Sequence, residues 1–381
     1  MHKVYILDRA AKIRYPNRDK IVLRLFDLLP AVVAMEEFTI VKIDFKDYFN
    51  SISSPYVFKK YLDAKIQDRA TRDLVQRFTK DTLFTYAGLC TSNAIAEIIA
   101  QEYDQNVQYL FQDYGLILYD RYVDDCIFIF NRHVSKDDIE SKLDEALKRV
   151  FHDESVHVSP KCKTRYNKGK TKYISNRLFI RAPQTTQEFD FLGYQFQLTK
   201  TRRRVEIAYG ITKKKKEKYE RRIDHIIYLY TDQNSPDYHN LELLRLRIAA
   251  FTSRTVYLEV HSNVPVWKVK GIIANYSQLR YYAKAELLDL DTKSFLKNMV
   301  TDALIRAKVP LPYFIRGSFE KSGYNLYYNL LANKSWIFVN HVGYDMKTLK
   351  QLCVKAGIDV VKEAKYDSLV RQFLIRIKVG Y

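Results

Sequence analysis

Two apolar runs, residues 116–119 (LILY) and 126–130 (CIFIF), enclose the polar stretch 120–125 (DRYVDD), which ends in adjacent carboxylates. Aspartate is a poor strand former, and burying one without a charged or hydrogen-bonding partner costs several kcal/mol. The chain must therefore turn here. An antiparallel hairpin carrying Asp124 and Asp125 at its tip is the natural solution, although the turn lacks the usual Asn-Gly signal. A third carboxylate, Asp44, ends another apolar, β-branched run, residues 39–45 (TIVKIDF), beside Val41, Ile43 and Phe45.

Two carboxylates about 4 Å apart repel by about 4 kcal/mol at an effective dielectric of 20. A trio stays ionised only if something neutralises it, and oxygen-preferring divalent cations, Mg²⁺ above all, do so economically. Phosphoryl transfer on nucleotides uses such a trio: one ion activates a hydroxyl while a second holds the triphosphate and the departing pyrophosphate. Spacing alone also allows the bland alternative of a solvated polar hairpin tip.

The surrounding pattern predicts an α+β domain. Apolar residues at Ile95, Ile99, Tyr103, Val107 and Phe111 form an i,i+4 stripe, hence a long helix over 93–111. Ser135, three residues before Asp138, opens a second amphipathic helix through Ile139, Leu143, Leu147 and Val150. A helix is also expected over 21–33, and another opening at Pro55. Residues 156–158 and 178–180 read as strands around a Lys/Gly-rich loop, and 189–198 (FDFLGYQFQL) is apolar with a central glycine. Strands interleaved with two long helices imply an antiparallel sheet with helices on one face. Beyond residue 198 the pattern turns mostly helical, over 213–230, 241–251, 268–287, 292–307, 319–332 and 346–356.

Charge supplies the partner. The 381 residues carry a net charge of +19, and residues 200–222 alone hold eleven Lys/Arg against three Glu. That excess points to a polyanion. Apolar residues at 47% exclude a disordered chain, and no run reaches the ~18 residues that span a bilayer. The N-terminal residues resemble no presequence, so the cytoplasm is the expected compartment and no membrane partner is expected. Cys90, Cys126, Cys162 and Cys353 lie far apart, which argues against a zinc site or a disulfide scaffold.

Three segments, VKIDFKDYFNSI around Asp44, RYVDDCIFIF around Asp124 and Asp125, and FDFLGYQF at 189–196, resemble, in order and separation, three successive motifs of reverse transcriptases. The resemblance covers roughly residues 12–198. It implies a right-hand polymerase palm in which Asp44 and Asp124 bridge two Mg²⁺ ions, with Mn²⁺ as a substitute. Asp125 would assist and Phe45 would lend a backbone carbonyl. Phe49 falls where the family places the aromatic gate that excludes a 2′-hydroxyl. Residues 88–98 (GLCTSNAIAEI) take the place of the segment supporting the incoming dNTP, but lack its usual Pro-Gln-Gly core; Thr91, Ser92 or Asn93 would substitute. Lys163 resembles the lysine near the leaving pyrophosphate, and Phe191, Leu192, Gly193 and Tyr194 resemble the primer grip.

Only 43 residues precede Asp44, so the fingers are expected to be short, with Lys12 and Arg14 complementing phosphates. The expected division is shortened fingers over 1–38, palm over 39–198, a basic helical thumb over 199–308 and a mostly helical extension over 309–381. In the thumb, Arg202, Arg203, Arg204, Lys213, Lys214, Lys216, Arg221 and Arg222 are the candidate contacts to an RNA–DNA hybrid or single-stranded product. The brevity and the C-terminal part look most like bacterial defence-associated reverse transcriptases, of abortive-infection, unknown-group or retron-like type. That likeness implies a structured noncoding RNA partner and an antiphage role, with a homo-oligomer possible. Template-independent or protein-primed DNA synthesis by the same carboxylates, and a catalytically silent nucleic-acid scaffold, are the alternatives.

Overall fold

The computed structural model describes residues 2–152, 164–181, 185–202, 204–261, 264–315 and 324–377. The chain divides into two compact units, Met1–Leu192 with Gln197–Ile207, and Gly193–Phe196 with Ala208–Tyr381. It is a mixed α+β protein built on antiparallel sheets.

In the first unit, α1 (His2–Ala11) precedes α2 (Arg18–Val32), whose first turn is capped by the Asn17 side chain accepting from the Lys20 amide. Strand β1 (Thr39–Lys46) is buried up to its last residue. Helices α3 (Ser54–Val57) and α4 (Arg69–Asp81) lead to the 22-residue α5 (Cys90–Phe111). The hairpin β2 (Leu116–Tyr122) and β3 (Asp125–Phe130) follows, then α6 (Lys136–Phe151), capped by Ser135 accepting from the Asp138 amide. Short strands β4 (Arg165–Tyr166) and β5 (Lys172–Ser175) pair with β1, completing a sheet ordered β2-β3-β1-β4 with β5 also beside β1.

Strand alternation decides what each face of this sheet does. Val41, Ile43 and Phe45 of β1 and Cys126, Phe128 and Phe130 of β3 share one core with Ile95, Ile99 and Tyr103 of α5 and Leu143 and Leu147 of α6. Since successive residues point to opposite faces, Lys42, Asp44 and Asp125 project away from that helical layer.

The expected strand at 178–180 is instead helical. Those residues lie in α7 (Asn176–Arg181), and the strand is the preceding β5. Three apolar residues are too few for periodicity to separate the two states. The strand expected at 156–158 lies outside the described residues. Strands β6 (Thr186–Phe191), β7 (Tyr194–Lys200) and β8 (Val205–Ile211) form a second, three-stranded sheet.

In the second unit, α8 (Lys213–Thr231) and α9 (Leu241–Phe251) are helical as expected. The predicted helix over 268–287 is not formed as such. Its start belongs to a hairpin of β9 (Arg254–His261) and β10 (Val264–Lys270), and its remainder to two short helices, α10 (Ile272–Asn275) and α11 (Leu279–Lys284). Val256, Tyr257 and Leu258 pair with Val269, Lys268 and Trp267, and Gly271, at φ 117°, ends the ladder where a side chain would strain the backbone. After α12 (Leu290–Arg306) and α13 (Leu326–Leu331), β11 (Ser335–Phe338) joins β9 in parallel, so this region is not purely helical. Helices α14 (Met346–Lys355) and α15 (Tyr366–Arg376) close a core containing Leu243, Trp336, Phe338 and Phe373. Among the described residues, no helix is long and apolar enough to cross a membrane.

Candidate active site

Antiparallel pairing of β1 with β3 sets Asp44 directly opposite Asp125. The Phe45 amide donates to the Asp124 carbonyl at 3.1 Å, so all three aspartates meet at one end of the sheet. Tyr122 pairs with Asp125, which leaves Val123 and Asp124 as a two-residue turn. Val123 adopts φ 59°, a left-handed conformation that strains a β-branched residue and that the surroundings must enforce.

Arg121 does the enforcing. Its guanidinium donates to the Val123 carbonyl at 3.0 Å, to both oxygens of Glu97 at 3.0 and 2.7 Å, and to both oxygens of Asp104 at 2.8 and 2.9 Å. Glu97 and Asp104 stand two turns apart on α5, one face of the helix. The guanidinium is thus anchored within the fold while one donor is left for the turn.

Two lysines and an asparagine flank the carboxylates. Lys42 Nζ lies 3.3 Å from Asp125, with its own side chain buried. Lys170 Nζ lies 3.0 and 3.3 Å from the two Asp44 oxygens, and this hydrogen bond holds its ammonium above the ordinary range. Asn167 donates its amide to the Asp44 carbonyl at 2.7 Å and its side chain to the carboxylate at 3.3 Å. Burial pushes the Asp124 carboxyl up; a backbone hydrogen bond opposes this and the Asp44 charge adds to it. Burial also raises Asp125, with Lys42 pulling against it and Asp124 and Asp44 reinforcing it.

Carboxylate oxygens are the donor type that hard cations take, and the raised Asp124 and Asp125 carboxyls are stabilised in their charged form by nearby positive charge. Lysine ammonium groups supply that charge in this arrangement. Among the described residues, no group of three or more His, Cys, Asp or Glu converges to metal-ligand geometry.

The other predicted positions are distributed around this centre or away from it. Phe49 is half-buried, its ring 5.5 Å from that of buried Tyr48, and its carbonyl accepts from the Thr85 hydroxyl at 2.5 Å. Thr91, Ser92 and Asn93 form the first turn of α5. Ser92 is buried and accepts from the Tyr86 amide at 2.9 Å, so it is committed to the loop, whereas Thr91 and Asn93 remain half-buried. Lys12 and Arg14 are exposed between α1 and α2.

The 191–194 turn has positive φ at Leu192 (51°) and Gly193 (88°), and Arg18 donates to the Leu192 carbonyl at 2.8 Å. Phe191 and Tyr194, on either side of the turn, are buried. Lys163 and Arg203 lie outside the described residues. Arg202, Arg204, Lys213, Lys214 and Arg221 are exposed, while Arg222 packs over the Tyr219 ring. Lys216 is buried and ion-paired with Asp291, so it faces the fold.

Sequence reasoning missed Arg121, Lys42, Asn167 and Lys170. A signal existed for Lys42, since period-two alternation puts it on the Asp44 face. It existed for Arg121 as well, beside YVDD with Glu97 and Asp104 at i,i+7 on the preceding helix. Asn167 and Lys170 sit in a Lys/Gly-rich stretch with no local signal.

No family model matches the chain, and no curated protein matches it either. Among solved structures it is similar to apo telomerase from Candida tropicalis, truncated from its C-terminal domain. That match has 15% identity and a TM-score of 0.31, over 52% of this chain and 42% of that one. It is also similar to telomerase from Candida albicans in complex with a TWJ fragment of telomeric RNA, at 12% identity and a TM-score of 0.35, over 98% of this chain and 50% of that one. The chain thus spans half or less of the length of these relatives.

Proposed function

We propose that the protein is a nucleotidyltransferase, an RNA-directed DNA polymerase that adds dNTPs to a primer 3′-hydroxyl on a structured noncoding RNA, in defence against phage. The observation that carries this reading is the register that sets Asp44 opposite Asp125, with Asp124 at the adjoining turn. Asp44, Asp124 and Asp125, with the Phe45 carbonyl, would hold two Mg²⁺ ions. Such ions lower the pKa of the attacking hydroxyl and stabilise charge on the phosphates. The protein's own part is positioning. Arg121 holds the turn, Lys42 steadies Asp125, and Asn167 fixes Asp44 from backbone and side chain. Phe49 would close the space a 2′-hydroxyl needs, and the exposed cations of the basic region would track phosphates.

Incorporation of labelled dNTPs by the purified chain, with its copurified RNA sequenced, tests the reading. RNase-sensitive, Mg²⁺-dependent synthesis of defined composition is expected from the wild type and none from Asp124→Asn, with RNA binding retained. Homopolymer synthesis that persists after RNase would favour template-independent polymerisation instead. Equal synthesis by Asp124→Asn would remove the carboxylate assignment.

A further inference from the structure

A cavity of about 640 Å³ opens in the second unit between α9, the β9–β10 hairpin and α15, a size typical of small-molecule sites. None of the residues given a polymerase role lines it. Its walls are mainly apolar, with Phe251, Val370 and Leu374 among them, and Tyr257 adds a second aromatic face.

A buried ion pair stands at this wall. Arg247, buried in α9, donates to Asp237 at 2.7 Å, and Arg376 lies 2.6 Å from the other oxygen of the same carboxylate. Burial works against the Asp237 charge, but the Arg376 and Arg247 guanidiniums more than offset it and hold the carboxyl low. Buried Arg247 and Asp237 thus form a matched pair, with the partly exposed Arg376 as a second cation on the same carboxylate, and Arg247 also donates to the Arg376 carbonyl at 3.3 Å. Among the described residues the buried Arg247 Nε has no hydrogen-bond partner. A buried donor left without its hydrogen bond is costly, and an anion at the cavity wall would supply the acceptor.

Two further cations line the same space: Lys270, its ammonium 5.3 Å from the Tyr257 ring centroid, and exposed Arg371. Of the lining acids, Glu259 is 3.5 Å from Lys268, and Asp367 sits in the first turn of α15. Donors and acceptors are spread around aromatic walls, which matches a ligand with a polar-edged ring better than a plain hydrocarbon chain.

We propose that this cavity binds a nucleoside monophosphate, as a free nucleotide or as the phosphorylated terminal residue of a strand. The phosphate sits against the Arg247, Lys270 and Arg371 charges and the base lies between Phe251 and Tyr257. The site is independent of the carboxylate centre.

Equilibrium dialysis of the full chain against AMP and dAMP in EDTA tests it, with inorganic phosphate and dodecanoate as parallel probes and a short 5′-phosphorylated oligodeoxynucleotide as competitor. AMP or dAMP should bind at least about tenfold more tightly than phosphate. Arg371→Glu, an exposed charge reversal, should weaken binding by about tenfold or more, with its thermal midpoint unchanged. Asp124→Asn should bind like the wild type, which separates this site from polymerase activity. Competition by the oligonucleotide identifies a strand end as the source, and its absence a free nucleotide; either supports the site. Absence of nucleotide binding, tighter binding of dodecanoate, or equal binding by Arg371→Glu overturns it.

Discussion

The Arg121 guanidinium donates to the Val123 carbonyl at 3.0 Å, so the strained residue of the aspartate turn is held by a side chain two positions earlier. The same guanidinium is buried against Glu97 and Asp104. Arg121→Met removes the hold on the turn and strands two carboxylates. Breaking a buried ion pair from one side costs about 3–5 kcal/mol. Urea unfolding should show a loss of that order, and dNTP incorporation should fall further than stability explains. Retention of full activity in the fraction that remains folded would show that the turn does not need its anchor.

Lys42 is the cation that opposes the upward pull on Asp125. Lys42→Met leaves burial and the neighbouring aspartates unopposed, so the Asp125 carboxyl rises further. A carboxylate that must be ionised to act then works only at higher pH. The acid limb of the incorporation profile should move to more alkaline pH, with activity reduced more in mild acid than in mild alkali. An unshifted limb would separate Lys42 from the ionisation of the site.

Asp120 gives a pH effect on stability instead. Burial raises its carboxyl to about 6 from an ordinary 3.8, despite the Arg24 charge beside it. Below about pH 4 the group is protonated in both folded and unfolded chains and costs nothing. As pH rises through the 4-to-6 window the unfolded chain ionises first, so stability is lost and stays lost above 6. Asp120→Asn removes this dependence. Urea midpoints measured across the window should fall with pH in the wild type relative to the variant, and parallel curves would contradict the burial argument.

Phe49 packs by its ring on Tyr48 and is pinned through its carbonyl by Thr85. The backbone hold survives truncation, so Phe49→Ala should fold while opening the space that the proposed gate would close. Steric discrimination of this kind is worth about 1–3 kcal/mol. Ribonucleotide use relative to deoxyribonucleotide should rise by about tenfold or more in competition assays. Unchanged discrimination would remove Phe49 from the gate.

How much of this was legible in sequence depended on whether a residue's partners were local. The aspartates could be read because β1 and β3 are short, apolar and interrupted only where charge is tolerated, and strand alternation then fixes their common face. The helix α5 was visible in its Ile95–Ile99–Tyr103–Val107 stripe because one face is buried throughout. Strand β10 was not visible, because Val264, Val266, Trp267 and Val269 are all exposed and burial does not alternate along it. Lys170 was invisible for a different reason. It reaches Asp44 across 126 positions of sequence, from a stretch whose composition describes any solvated loop.

Lys216 shows the same limit in a form that can be measured. Composition places it in a basic run with Lys213 and Lys214, but Lys216, nearly a turn into α8, is buried and paired with Asp291 while Lys213 and Lys214, the first two residues of the helix, stay exposed. Each phosphate contact contributes about 0.7–0.9 to the slope of log affinity against log salt. Lys213→Ala with Lys214→Ala should therefore flatten the salt dependence of nucleic-acid binding. Lys216→Met should leave the slope unchanged and lower stability modestly, because Asp291 is solvent-facing and remains hydrated when its partner is lost. A slope that falls with Lys216→Met and holds with the double variant would mean that nucleic acid meets α8 on the opposite side from the one its exposed charges offer.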